Sequence, residues 1–189
     1  MVRPIGPAVL EAYPKELTLD DGTVVTVRPL RREDEAALIA FFQGIPEEDR
    51  FYLKEDVGDP AVVRRWVAEL DYDRVLPLVA LRDGEIVADA TLHRRGWGAR
   101  RHLGEVRMVV APKVRRKGLA LAMMGELVEI AAAVGLERLE TEIVAGAEMP
   151  AFEVVQQAGF EQAAVIPDHF KGPDGRPHDL MILVLPLVD

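Results

Sequence analysis

The stretch that most restricts the fold runs from Glu105 to Val144: an apolar run, a long helical pattern and a second apolar run, without interruption. "GEVRMVVAP" has the alternation and branched side chains of a strand. From about Arg116 to Val134, Leu119, Met123, Leu127, Ile130 and Val134 recur at three- and four-residue spacing, one face of a helix. Gly135 then stands where a helix C-cap is expected, and "LERLETEIV" reads as another strand. A strand that returns to its own sheet through a crossover helix runs parallel, and the crossover is right-handed. Whatever else the chain builds must accommodate that parallel pair.

The flanking segments supply the rest of a sheet. Two short alternating runs around Asp21-Gly22 predict a hairpin, and "RVLPLVALRDGEIVADATLHRR" predicts two strands joined at Asp83-Gly84. Leu38, Phe41, Phe42 and Ile45 predict a helix over Arg32–Gln43. Asp59-Pro60 is an N-cap followed by proline at the first helical position, opening a helix with Val62, Val63, Trp66, Val67 and Leu70 inward. A short helix ending at Gly159 carries Ala151, Val154, Val155 and Ala158, and two strands around "KGPDGRPHD" close the chain. The order ββ-αα-βββ-α-β-α-ββ describes a single α+β domain over residues 15–189. Its mixed sheet is mostly antiparallel, with a central parallel pair flanked by helices. Residues 1–14 read as a tail or an edge extension.

Composition narrows the function classes. With 189 residues and 49% hydrophobic content, one sizeable core is expected. The chain has no cysteine, which excludes disulfides, thiolate metal sites and cysteine nucleophiles. A net charge of −9 argues against a generic nucleic-acid binder, which relies on neutralising phosphates. No signal-peptide pattern or 18-residue apolar span is present, so a cytoplasmic protein without membrane attachment is expected. Monomer and homodimer both remain open.

Against that acidic background, four of the five residues Lys113–Lys117 are cationic, between the strand and the helix, with Gly118 at the junction. A helix start offers unpaired N–H groups and partial positive charge, which suits an anion. Gly118 allows close backbone approach, Ala120 keeps the next turn thin, and no phosphate loop of the G-x-x-x-x-G-K-[ST] or G-x-G-x-x-G type is present. An ordinary solvated helix start is the other reading. Arg115-x-x-Gly118-x-Ala120, after "VVAP" and before a long helix, resembles the acyl-CoA signature of the GNAT superfamily of N-acyltransferases. The element order over residues 23–186 and Gly159-Phe160 extend the resemblance. It implies acetyl-CoA as co-substrate, with the backbone of Arg115, Arg116, Lys117, Gly118, Leu119 and Ala120 around its diphosphate. Met108, Val109 and Val110 would lie along the pantetheine arm, with Met108 and Val110 hydrogen-bonding it as a further strand. Two positions depart from the family pattern: Glu148 stands where asparagine is frequent, and Val155 where a tyrosine acid is frequent.

A primary amine with a pKa of about 10.4 must lose a proton before it attacks a thioester. Glu105, the carboxylate on the central strand, is the candidate base. His93, brought to the same edge by antiparallel pairing, is its rival, and Glu142 on the neighbouring strand a third possibility. The final hairpin is expected to return to that edge, with His169 and His178 as a substrate wall; a metal is not expected there. The acceptor would be a small-molecule amine or a protein lysine, attacking directly in a ternary complex. A non-catalytic acyl-CoA-binding module is the alternative.

Overall fold

The computed structural model describes residues 2–188. Eight strands form one sheet: β1 Lys15–Thr18, β2 Val24–Pro29, β3 Val75–Arg82, β4 Glu85–Arg94, β5 Leu103–Val110, β6 Arg138–Val144, β7 Glu161–Lys171 and β8 Pro177–Pro186. Their spatial order is β1-β2-β3-β4-β5-β6-β8-β7. Every neighbouring pair is antiparallel except β5 and β6, the pair joined by the crossover helix. The helices are α1 Pro7–Leu10, α2 Glu35–Gln43, α3 Glu47–Arg50, α4 Pro60–Ala68, α5 Leu119–Ala133 and α6 Met149–Gln157. The expected α+β architecture is therefore present, parallel pair included.

That parallel pairing is short. It covers Leu103↔Arg138, Gly104↔Leu139 and Glu105↔Glu140, whereas β4 stays paired with β5 as far as Val110 and β8 with the whole of β6. The sheet is thus two halves joined at one corner and parted beyond it. Gly104 holds the joint closed: a Cβ there would come within 2.9 Å of Leu92, Leu136 and Leu139. Just past the joint, the Thr141 hydroxyl donates to the Val106 carbonyl at 3.0 Å and ends the pairing.

Helices cover both faces, so β4 is buried almost continuously rather than in alternation. On one face Leu119, Met123, Leu127, Ile130 and Ala131 of α5 are buried against the sheet. Leu127→Ala would cost about 2–5 kcal/mol by the usual scale for a fully packed leucine. On the other face lie Leu38 and Phe42 of α2 and Val63 and Val67 of α4. Asp59 caps α4 as its sequence implies, accepting from the Ala61 N–H at 2.8 Å. Residues 2–14 lie against the domain: Ile5 is buried, Arg3 N–H donates to the Val134 carbonyl, and the Tyr13 hydroxyl donates to Glu126.

Three local expectations change. The segment Arg32–Asp34 is a separate 3-10 turn before α2, because the Asp34 carboxylate is drawn to Arg28 at 2.6 and 2.8 Å and to the Arg31 N–H. Helix α5 begins at Leu119 rather than near Arg116, because Arg116 and Gly118 are both left-handed, with φ of 58° and 81°. In α6 only Val155 of the expected stripe is buried, with Phe152 packed beside the core; Ala151 is exposed. Helix α3 has no apolar stripe to announce it, only three acidic residues in its first turn.

Candidate active site

The turn between β5 and α5 is made by backbone. Two left-handed residues, Arg116 and Gly118, lie two apart, a conformation that gathers successive N–H groups into an anion-binding concavity. A Cβ on Gly118 would sit 3.0 Å from both Asp20 carboxylate oxygens, and its φ disfavours any side chain. The cations contribute less than their number implies. Lys113 pairs with Glu85, Arg115 with Asp49 at 2.6 Å and Lys117 with Asp21 at 2.7 Å. Lys117 accordingly holds the Asp21 carboxyl well below its usual range. Arg116 alone of the four has no ion-pair partner among the described residues.

The strand leading into this turn has a free edge. Because the Val106 carbonyl faces β6, the two-residue repeat turns the N–H and C=O of Met108 and Val110 the same way, past the point where β6 departs. Arg115 Nε takes the Val110 carbonyl at 2.8 Å, leaving that residue's N–H. Val109 points its backbone to β4 instead, opposite Asp89. Leu119 is fully buried and anchors the first turn of α5 in the core. Ala120 adjoins it on that turn without a bulky side chain. The gap, edge and turn follow one another along the chain and offer donors for an extended amide-bearing chain ending in a diphosphate, so the residues fit acyl-CoA.

A cavity of about 400 Å³ reaches through the gap. Met124 and Val155 line it on the α5–α6 side, and Leu38, Phe42 and Trp66 on the α2–α4 side. On the latter side the register aligns Asp89, Thr91 and His93 of β4 with Val109, Arg107 and Glu105 of β5. Glu105 accepts from Arg107 Nε at 2.7 Å and from Lys54 Nζ at 2.7 Å, and Lys54 Nζ is also 2.8 Å from Glu142. Burial alone would raise the Glu105 pKa, but Arg107 and Lys54 outweigh it and hold the carboxyl down at about 2. Burial, with Arg107 nearby, pushes His93 down to about 4; its Nε2 shares a 2.9 Å hydrogen bond with the Thr91 hydroxyl. Burial pushes Asp89 up to about 7, and its Oδ1 has no hydrogen-bond partner among the described residues. Glu148, also on the lining, is raised by burial although it accepts from the Val144 N–H at 2.7 Å.

The structure brings Glu105 and His93 together, directly opposite one another across β4 and β5. The final hairpin reaches the same cavity through Phe170 and Leu180, but not through its histidines. β8 runs antiparallel to β6 with Leu180 opposite Val144, so the Lys171–Pro177 turn lies beyond the carboxyl ends of β5 and β6, not at the start of β5. The expectation overlooked that a partner antiparallel to β6 must begin where β6 ends. His169 is exposed and neither it nor His178 lines the cavity; His178 Nδ1 is 3.0 Å from the Ala145 carbonyl. No group of three or more His, Asp or Glu placed to hold a metal is found among the described residues.

Sequence reasoning passed over Lys54, Arg107 and Asp89. Asp89 had a signal, as a lone acid within the apolar run "IVADATL". Arg107 had a weaker one, two residues from Glu105 on the same strand face. Lys54, in a loop between two helices, had none.

No curated protein matches the sequence at a significant level. Solved structures do match in fold. The GNAT domain of S. lividans PAT is 23% identical with a TM-score of 0.75, over 91% of this chain and 96% of that one. The ribosomal-protein-alanine N-acetyltransferase of Brucella melitensis is 23% identical, TM-score 0.72, over 85% and 98%. The yncA protein of Salmonella typhimurium, solved with its cofactor acetyl-CoA, is 20% identical, TM-score 0.73, over 87% and 95%. At these identities the likeness establishes the fold. The acetyltransferase (GNAT) family model matches residues 30–160, well over half of the chain, and the protein is therefore a member of the GNAT acetyltransferase family.

Proposed function

We propose that this chain is an N-acetyltransferase that moves acetyl from acetyl-CoA to a primary amine, a small molecule or a protein lysine, by direct attack in a ternary complex. The observation that carries this reading is the edge of β5 left without a strand partner at Met108 and Val110, running into the left-handed turn at Gly118. Met108 and Val110 hold the pantetheine amides, and the turn from Arg115 to Ala120 holds the diphosphate. The bound thioester supplies an activated acetyl group at the mouth of the gap.

The amine enters from the α2–α4 side and meets Glu105, which Arg107 and Lys54 keep ionised at every pH above about 2, so that it attracts the ammonium strongly and acts on its proton as a weak base. It receives the amine's proton and passes it to water in the open cavity. His93, neutral above about pH 4, stands across the strand pair as a second stop on that path. Val155 offers no proton to the departing sulfur. A thiol's ordinary pKa of about 8.5 makes this tolerable, because such a group leaves without a fixed acid and takes its proton from water.

Thiol release from acetyl-CoA, measured across a panel of amines and lysine peptides, tests the reading. Amine-dependent release is expected. Tight CoA binding with no release for any amine would favour the non-catalytic binding module, to which the missing acid at Val155 also points.

A further inference from the structure

Of the five lysines in the chain, Lys54 is the one that lines the cavity. Its Nζ lies between Glu105 at 2.7 Å and Glu142 at 2.8 Å, one carboxylate from each half of the parted sheet. Glu105 is the last residue of β5 paired with β6, and Glu142 lies two residues past the last paired position of β6. The ammonium therefore straddles the mouth of the gap, on the side from which an acceptor must come. The segment after it is fixed: Glu55 holds Arg65 at 2.9 Å and the Trp66 indole at 2.5 Å, and Val57 is buried. The other ion-paired lysines, Lys15, Lys113 and Lys117, meet carboxylates outside the cavity.

From this placement we infer that Lys54 is itself an acetyl acceptor, modified in cis by the chain that carries it. The inference rests on the acetyl transfer proposed above. The Lys54 ammonium gives one proton to Glu105 and thence to water. Its lone pair forms the N–C bond to the acetyl carbonyl carbon, the nitrogen releases its second proton to water, the C–S bond breaks with its electron pair on sulfur, and water returns a proton to the sulfur to give the free thiol. One ammonium and one thioester become one amide, one thiol and one released proton, with no oxidant or reductant. The product amide is neutral, so Glu105 and Glu142 lose the cation they share. Acetylation of Lys54 thereby changes the charge that an incoming amine meets.

The test incubates the purified full chain with acetyl-CoA and no added amine, and follows acetylation at each lysine by peptide mass spectrometry. Lys54 should be modified at least about tenfold faster than exposed Lys171, a modest demand given the rate advantage of a positioned nucleophile. Its first-order rate constant should not change with protein concentration, and Gly118→Val should abolish it. In Lys54→Arg the rapid modification should vanish from the intact mass. Lys54 acetylated no faster than Lys171, or at a rate that rises with protein concentration, would overturn the inference. Thiol release with added amines but an unmodified Lys54 sinks the cis reaction alone. Failure of both sinks the acetyl transfer as well.

Discussion

The turn before α5 and the cavity on the other side of β5 use charge in opposite ways. At the turn, three of four cations are neutralised by carboxylates from other segments, and the anion-binding geometry comes from backbone at two left-handed residues. In the cavity, charge is left incompletely balanced. Asp89 is buried without a partner for Oδ1, His93 is pushed down to about 4, and one lysine bridges two carboxylates. Backbone recognition suits a ligand that never varies, and unsatisfied side chains suit proton transfer, where perturbed groups gather. The first region carries the cofactor reading and the second the chemistry.

Breaking the first region should give the largest effect. Gly118→Val places a branched side chain at φ 81° and against Asp20, so calorimetry should find CoA binding abolished while circular dichroism shows the fold retained. Unchanged affinity would remove the turn from the cofactor site. In the second region, Glu105→Gln keeps the shape and removes the carboxylate proposed as proton acceptor. There kcat/KM should fall roughly 10²–10⁴-fold with CoA affinity unchanged; an unchanged kcat/KM would move the role to His93 or solvent.

The division also has a stability signature. Asp89 is raised by burial from an ordinary 3.8 to about 7. Below the ordinary value both folded and unfolded chains hold the proton and there is no cost. As pH rises the unfolded chain ionises first, so folding loses stability until the cost is complete above about 7. Asp89→Asn should therefore stabilise the protein in mildly alkaline buffer by on the order of 4 kcal/mol at most, and by nothing measurable in acid. Denaturant melts at the two ends of that range check it; a gain equal at both would mean that ionisation is not the cause.

The smallest expected effect separates free from paired cations. Arg116→Ala should weaken CoA binding modestly, by about tenfold or less, in a way that salt suppresses. Lys113→Ala, which breaks an existing pair with Glu85, should do less. Equal losses would show that the ion pairs open when CoA binds.

The two regions were not equally legible in the sequence. The turn is local: Val110, Arg115, Gly118 and Ala120 fall within eleven consecutive positions, and strand and helix periodicity frame them. Its four cations were legible as residues but not as ion pairs, because Asp21, Asp49 and Glu85 come from distant segments. The cavity is assembled by register. Glu105 and His93 could be matched because their strands are consecutive and antiparallel. Where the hairpin sets His169 and His178 was not legible, because its position depends on pairing with β6, a strand two elements earlier. Lys54 reaches the site from a loop without periodicity, and only the packed fold shows where its amine goes.

Amide hydrogen exchange with and without CoA tests the division most directly, since it reads backbone positions one by one. Exchange should slow on CoA addition at Met108, Val110 and the Gly118–Ala120 turn. Val109, whose backbone faces β4, should be unaffected. Protection confined to other segments, with Met108, Val110 and Gly118 unchanged at saturating CoA, would contradict it.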